Sequence, residues 1–196
     1  MVLYLHGFRS SPLSFKAQMM ANAMAARGKQ AAWRCPQLPP SPAAAMTIAG
    51  EQLQALIHAV PGRDPAAVTI VGSSLGGYYA TWLAEQFGTR AVLINPAVHA
   101  PRDLATQVGT QRDFHTGVPF EFLPAYIGEL ERMRVSRPTK PGRYLLIAAT
   151  GDEVLDWREM RDYFADCAQI IVPGSDHGLS DFEQWLPRVM AFAGHA

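Results

Sequence analysis

Residues 68–87 carry the pattern most suggestive of chemistry. An apolar, β-branched run, Val68–Val71, enters Gly72-Ser73-Ser74-Leu75-Gly76 and leaves as a helix-like stretch rich in aromatics. A strand that bends into a helix at Gly-x-Ser-x-Gly is a nucleophile elbow. The central residue takes a strained backbone so that its hydroxyl projects above the sheet, and the flanking glycines let strand and helix approach closely. Ser74 is central and Ser73 is not. Ser74 also lies where helix amides begin, so an anion forming beside it meets the positive end of the helix dipole, and the Leu75 N–H points at that charge. A phosphate-binding loop would need Lys-Ser/Thr after its glycines, and a dinucleotide fingerprint would need G-x-G-x-x-G in the first strand–helix unit; the sequence has neither.

A serine hydroxyl needs a base to take its proton. His177, in VPGSDHGLSDF, follows the last strand-like run and precedes the last helix-like run, the place this elbow requires in the chain order Ser, acid, His. Of the other histidines, His6 ends the first strand, His58 lies within a helix, His99 and His115 fall in an irregular stretch and His195 is in the tail. The acid that orients the imidazole should follow the strand Tyr144–Ala149, where TGDEVLDW offers Asp152, Glu153 and Asp156. Asp152 is nearest the strand end and is favoured. Asp156 reads better as the N-cap of a helix starting at Trp157, and Asp176 is an unsuitable partner for its own neighbour in a tight loop.

A second amide donor for an oxyanion should come from the loop after the first strand, LHGFRSSP. Gly7 permits a close turn there, and the Phe8 N–H is the candidate, with Arg9 next. His6 reads as a residue that fixes this loop. Phe114, Phe120, Phe122 and Tyr126 lie in a segment able to overhang Ser74 and, with Arg9, are candidate substrate-pocket residues. Met19, Met20 and Met24 in the first helix, and Tyr78, Tyr79 and Trp82 after the elbow, read as core packing. No two histidines share a helical face at ligand spacing, so no metal site is expected.

These residues need a scaffold, and the order of elements supplies one. Val2–His6 reads as a strand. Pro12–Arg27 reads as a helix with Ser11 as N-cap and Gly28 past its end. Gln30–Cys35 is a weaker strand, PQLPPSP a rigid loop, and a second helix starts at Ser41-Pro42 and ends at VPG. Strand Val68–Val71, helix Leu75–Phe87, strand Ala91–Ile94, strand Tyr144–Ala149, helix Trp157–Ala165, strand Gln169–Val172 and a helix from about Asp181 to Phe192 complete the pattern. Strands alternating with helices predict a three-layer α/β architecture, a mostly parallel sheet of about six strands covered on both faces. Residues 98–142 exceed what a simple crossover needs; they are expected to form a small helical insertion before the acid-bearing strand, placed to cover a site.

The whole chain, 196 residues, suits a single domain at residues 1–196. Hydrophobic residues make up 48% and charged residues 17%, and the formal net charge is zero, so a nucleic-acid partner is not expected. Cys35 and Cys167 form no CxxC or zinc spacing and read as two buried thiols, with a disulfide between them left open. Met1 leads directly into a strand-like run, with no signal-peptide pattern and no segment able to span a bilayer. A cytoplasmic location and no membrane partner are expected, and self-association as a homo-oligomer is left open.

Set side by side, LYLHGFRSSP, PQLPPSP, IVGSSLGGYYATWLAEQF, INPAV and TGDEVLDW resemble the YqiA/YcfP-type bacterial esterase family of small α/β-hydrolases. The resemblance spans most of the chain. It implies a compact hydrolase without the leading strands of larger relatives, acting on short or medium acyl esters or on acyl-CoA thioesters, and it again assigns Ser74, Asp152 and His177. In that family the histidine is often preceded by Asn and followed by Ala, whereas Asp176 and Gly178 flank it here.

Taken together, the residues predict a serine esterase. Ser74 attacks an acyl carbonyl, His177 relays the proton, Asp152 orients His177, and the Phe8 and Leu75 amides bind the oxyanion. No cofactor is needed, and the partner is a small acyl ester or thioester. The alternatives are an acyl-CoA thioesterase with the same apparatus and a binding protein with an inert site on the same scaffold.

Overall fold

The structure is a computed structural model that describes residues 1–195. Its centre is a six-stranded sheet in which every neighbouring pair is parallel. The strands are β1 (Val2–Leu5), β2 (Trp33–Arg34), β3 (Thr69–Ser73), β4 (Arg90–Ile94), β7 (Tyr144–Ala149) and β8 (Ala168–Val172), in spatial order β2-β1-β3-β4-β7-β8. Between β4 and β7 stand β5 (Gly109–Arg112) and β6 (Pro119–Phe122), a separate antiparallel hairpin.

The central strands read as continuous apolar runs because both faces of the sheet are covered. Alternate side chains divide between two cores. Leu3, Leu5, Ile70, Leu93 and Leu146 face one, and Val2, Tyr4, Val71, Val92 and Ile147 face the other. The first core is closed by α2 (Pro42–Ala59), α3 (Leu75–Phe87), α4 (Ala100–Leu104), α5 (Ala125–Arg132) and α6 (Trp157–Tyr163). The second is closed by α1 (Phe15–Ala26) and α7 (Phe182–Phe192). Ser41 caps α2 by accepting from the Ala44 N–H at 3.2 Å, with Pro42 at the first helical position. Asp156 caps α6 through the Arg158 N–H at 2.9 Å. Gly88 ends α3 at φ +78°.

Most boundaries fall within two residues of the sequence expectation, and two starts move by three. The first helix begins at Phe15 rather than Pro12, because Ser11 closes a turn instead of capping a helix. Its Oγ accepts from the Leu13 N–H at 3.1 Å, and its carbonyl accepts from the Ser14 N–H at 3.0 Å. The Gln30–Cys35 strand shrinks to Trp33–Arg34, since Gln30–Ala32 coils into a single tight turn.

The stretch 98–142 contains one helix in the place expected, α5, and, in addition, the short helix α4 and the β5–β6 hairpin. The hairpin turn is built by Asp113, whose Oδ1 accepts from the His115 and Thr116 amides at 2.8 and 2.7 Å. Gly117 takes φ +71° there. Among the described residues, no helix is long and apolar enough to cross a membrane.

Candidate active site

The site lies at the carboxyl ends of β1, β3, β4 and β7, where ligands sit in open α/β sheets. Ser74 joins β3 to α3 at φ +55°, ψ −121°, a backbone state that L-residues rarely adopt. The bend is over-determined. The Ser74 N–H donates to the Ile94 carbonyl at 3.0 Å, and its own carbonyl accepts from the Gly77 and Ala97 amides at 2.9 and 3.1 Å. Both elbow glycines are sterically required. A Cβ on Gly72 would fall 2.2 Å from the Gly76 carbonyl oxygen, and one on Gly76 would fall 2.0 Å from that of Leu5.

The Ser74 hydroxyl stands 3.1 Å from His177 Nε2, and His177 Nδ1 stands 2.8 Å from Asp152 Oδ2. A carboxylate only accepts, so Nδ1 carries the proton and Nε2 is left free to accept from the serine. The Asp152 side chain is fully buried, whereas that of His177 is 20% exposed. The other oxygen of Asp152 accepts from the Val154 and Leu155 amides at 2.9 and 2.8 Å, which fixes the carboxylate plane. Glu153 turns to the His177 N–H at 3.0 Å, and Asp156 is engaged as the α6 cap. Asp176 accepts from the Ser180 amide at 2.8 Å and so shapes its own loop.

Leu75 is the first residue of α3, so its N–H has no partner within the helix. Among the described residues the Phe8 N–H likewise has no backbone acceptor. Gly7 brings that loop against the serine: a Cβ there would meet Ser74 Cβ at 3.1 Å. The loop is held from both sides. His6 accepts from the Leu38 N–H at Nε2, 3.0 Å, and therefore donates from Nδ1 to the Gly7 carbonyl, also 3.0 Å. Burial lowers the His6 pKa below its ordinary value, and the Gly7 hydrogen bond opposes that shift. On the outer side, Arg9 sits at φ +60°, donates from Nε to the Arg112 carbonyl at 2.9 Å, and stacks its guanidinium 4.3 Å from the Phe114 ring centroid. The Phe114 N–H donates back to the Arg9 carbonyl at 2.8 Å.

The candidate pocket residues separate. Arg9 and Phe120 line a cavity of about 460 Å³ beside Leu75 and Phe8. Phe122 is 1% exposed and packs beneath Phe8 at 5.0 Å between centroids, with Tyr126 behind it at 5.5 Å. Neither Phe122 nor Tyr126 lines the cavity: Phe122 shares a face of β6 with Phe120 but lies two residues further along, buried in the core, and Tyr126 on α5 packs against it. Phe114 is 67% exposed and serves as the platform for Arg9.

Two residues outside the sequence reading hold the histidine loop. Asn95, fully buried at φ +42°, donates from Nδ2 to the Asp176 and His177 carbonyls at 3.1 and 2.9 Å, while its Oδ1 accepts from the Ala149 N–H at 2.8 Å. Lys16, buried on α1, donates its ammonium to the Gly178 carbonyl; burial pushes its pKa down to about 8 against the pull of Asp176. The signal for Asn95 was its place just after a strand, since Asn tolerates positive φ better than other residues that carry a Cβ.

A parallel sheet wound on both faces, with a serine at a strained strand–helix bend, defines a protein of the α/β-hydrolase fold. Residues 1–194 match the Uncharacterised protein family UPF0227, and the chain belongs to that family, the YqiA/YcfP-type family its motifs resemble. Solved structures share the fold at low identity. One of the metagenome-derived lipolytic enzymes LipS and LipT superposes with TM-score 0.71 at 19% identity, covering 100% of this chain and 93% of that one. Est1E from Butyrivibrio proteoclasticus with bound ferulic acid gives 0.69 at 14%, covering 100% and 89%. The monoacylglycerol lipase of Paleococcus ferrophilus gives 0.67 at 15%, covering 100% and 94%.

Proposed function

We propose that the protein is a serine carboxylic-ester hydrolase working through an acyl-enzyme, with Ser74, His177 and Asp152 as its triad and residues 98–142 as a cover on one domain. The observation that carries this reading is the hydrogen-bonded chain from the Ser74 hydroxyl through His177 to the buried Asp152.

Ser74 Oγ attacks the acyl carbonyl carbon while His177 Nε2 takes its proton. Asp152 holds the tautomer and stabilises the imidazolium that forms. The carbonyl oxygen becomes an oxyanion between the Phe8 and Leu75 amides, where the dipole of α3 adds to the stabilisation. Collapse of this intermediate breaks the ester C–O bond, and the leaving alkoxide takes the proton from Nε2. Water then attacks the acyl-serine, gives one proton to His177, and the acid leaves as Ser74 regains its proton. Apart from the attacking water, the scheme uses side chains and backbone amides of this chain. The LipS/LipT enzyme is described as lipolytic, and the Paleococcus ferrophilus protein as a monoacylglycerol lipase, which agrees with ester chemistry on this scaffold.

Reaction with a fluorophosphonate probe tests the proposal. Wild type is modified at Ser74 and hydrolyses p-nitrophenyl butyrate. Ser74→Ala takes no label and keeps only residual turnover, and Asp152→Asn loses about 10⁴-fold in kcat. An unlabelled wild type without hydrolytic activity overturns the reading.

A further inference from the structure

The 460 Å³ cavity has a defined orientation relative to the proposed chemistry. It is bounded by the Gly7–Ser10 loop, the Gln37–Pro40 loop, the start of α3 and the hairpin, and residues 150–181 contribute nothing to its wall. The leaving alkoxide must collect its proton from His177, so it departs on the histidine side. A carbonyl held by the Phe8 and Leu75 amides therefore directs its acyl portion into the cavity. This step rests on the proposed function.

Most of the wall is apolar, formed by Phe8, Leu38, Pro39, Pro40, Val118 and Phe120. All but one of the polar side chains on the wall already make at least one hydrogen bond. His6 uses both ring nitrogens, Arg9 donates to Arg112, Asp113 accepts from the turn amides, and Ser10 contacts His115. Gln37 donates to the Leu38 carbonyl and Thr116 to Asp113.

Tyr79 is the exception. It lies one helical turn beyond Leu75 on the same side of α3 and is 2% exposed, yet it lines the cavity. Its hydroxyl has no hydrogen-bond partner among the described residues, and the residue forms part of the cavity wall. Burial, with the nearby charge of Glu129, raises the phenol pKa far above its ordinary value and keeps it protonated as a donor.

We infer that Tyr79 is a specificity-determining residue that donates a hydrogen bond to an oxygen carried part-way along the acyl chain, so that the favoured substrates are medium-length acyl esters bearing an internal carbonyl or equivalent acceptor. A plain alkyl chain filling this cavity would strip solvent from the phenol without replacing its bond, a loss that an oxygen at the right depth avoids.

The test compares p-nitrophenyl octanoate with its 4-, 5-, 6- and 7-oxo derivatives on wild type and Tyr79→Phe. One oxo position raises wild-type kcat/KM over octanoate by about tenfold, and the ratio collapses toward one in Tyr79→Phe. Octanoate esters of heptanol and of its oxo derivatives, with the ketone now in the alcohol, show no such ratio. An octanoate-active enzyme labelled at Ser74 that shows no oxo preference, a preference that survives Tyr79→Phe, or an equal preference on the alcohol side overturns this inference and leaves the esterase reading standing. An enzyme inert to every ester and to the probe overturns both.

Discussion

Two residues govern how the proposed reacting groups are held. Asn95 ties the end of β4 to the end of β7 and to the histidine loop through three hydrogen bonds, with no solvent to replace them. Asn95→Ala leaves one amide and two carbonyls unpaired, and it forces Ala into φ +42°. The expected loss is about 2–4 kcal/mol of stability, measured by urea unfolding, with kcat falling more than KM rises. His6 makes a pH-dependent contribution. Its folded-state pKa lies below the ordinary 6.5, so as pH falls the unfolded chain takes the proton first. The stability from neutral His6 is therefore complete above 6.5 and is lost as pH drops from there through the lower folded value. Melting curves between pH 8 and 5 should fall more steeply for wild type than for His6→Gln, whose side chain titrates nowhere in that range; equal slopes would remove His6 as the cause. That Ser74, Asp152 and His177 come within hydrogen-bond reach of one another was legible in the sequence, because the elbow marks the serine and the chain order Ser, acid, His points to the other two. Asn95 and Lys16 were not, since each acts on a carbonyl 82 or 162 positions away.

The element that most alters the expected picture is the β5–β6 hairpin. Its strands span only Gly109–Arg112 and Pro119–Phe122, four residues each; the first, GTQR, carries no large apolar side chain, and the second opens on a proline and gives only the pair Phe120 and Phe122, too short a run to mark a strand. The long runs of β3, β4 and β7 are buried on both faces and could be read directly. The hairpin matters because its tip straps the loop that carries the Phe8 amide, through Arg9–Phe114 stacking and the reciprocal bonds of Arg9 with Arg112 and Phe114. An exposed cation–π contact is worth about 0.5–1 kcal/mol, which corresponds to a two- to fivefold effect if all of it acts on loop position. Phe114→Ala should lower kcat on p-nitrophenyl acetate by about that factor and leave KM nearly unchanged. Its melting temperature should stay close to wild type, because the ring is exposed. A KM effect with kcat intact would make Phe114 a substrate contact instead of a support for the loop.

At the scale of the whole molecule, strand order settles a question that spacing along the chain could not. Alternating elements announce a parallel sheet without stating which strands become neighbours. Cys35 follows β2 and Cys167 precedes β8, and these are the opposite edges of the six-stranded sheet. Five interstrand steps of about 4.8 Å separate those edges by roughly 24 Å, against the roughly 7 Å that a disulfide tolerates between Cα atoms. The thiols also belong to different layers, since Cys35 packs against the α1–α7 core and Cys167 against the core on the other face. An intramolecular bridge would therefore require the sheet to come apart, and both cysteines are free. Burial raises both thiols, Cys35 to about 12 and Cys167 to about 11, so little thiolate exists near neutrality in the folded state. Alkylation with iodoacetamide at neutral pH should be slow in the native protein and should reach two thiols per chain in denaturant without any reductant. Dithiothreitol should leave the melting temperature unchanged. Two thiols that appear only after reduction would contradict the strand order itself, because no smaller rearrangement brings these edges together.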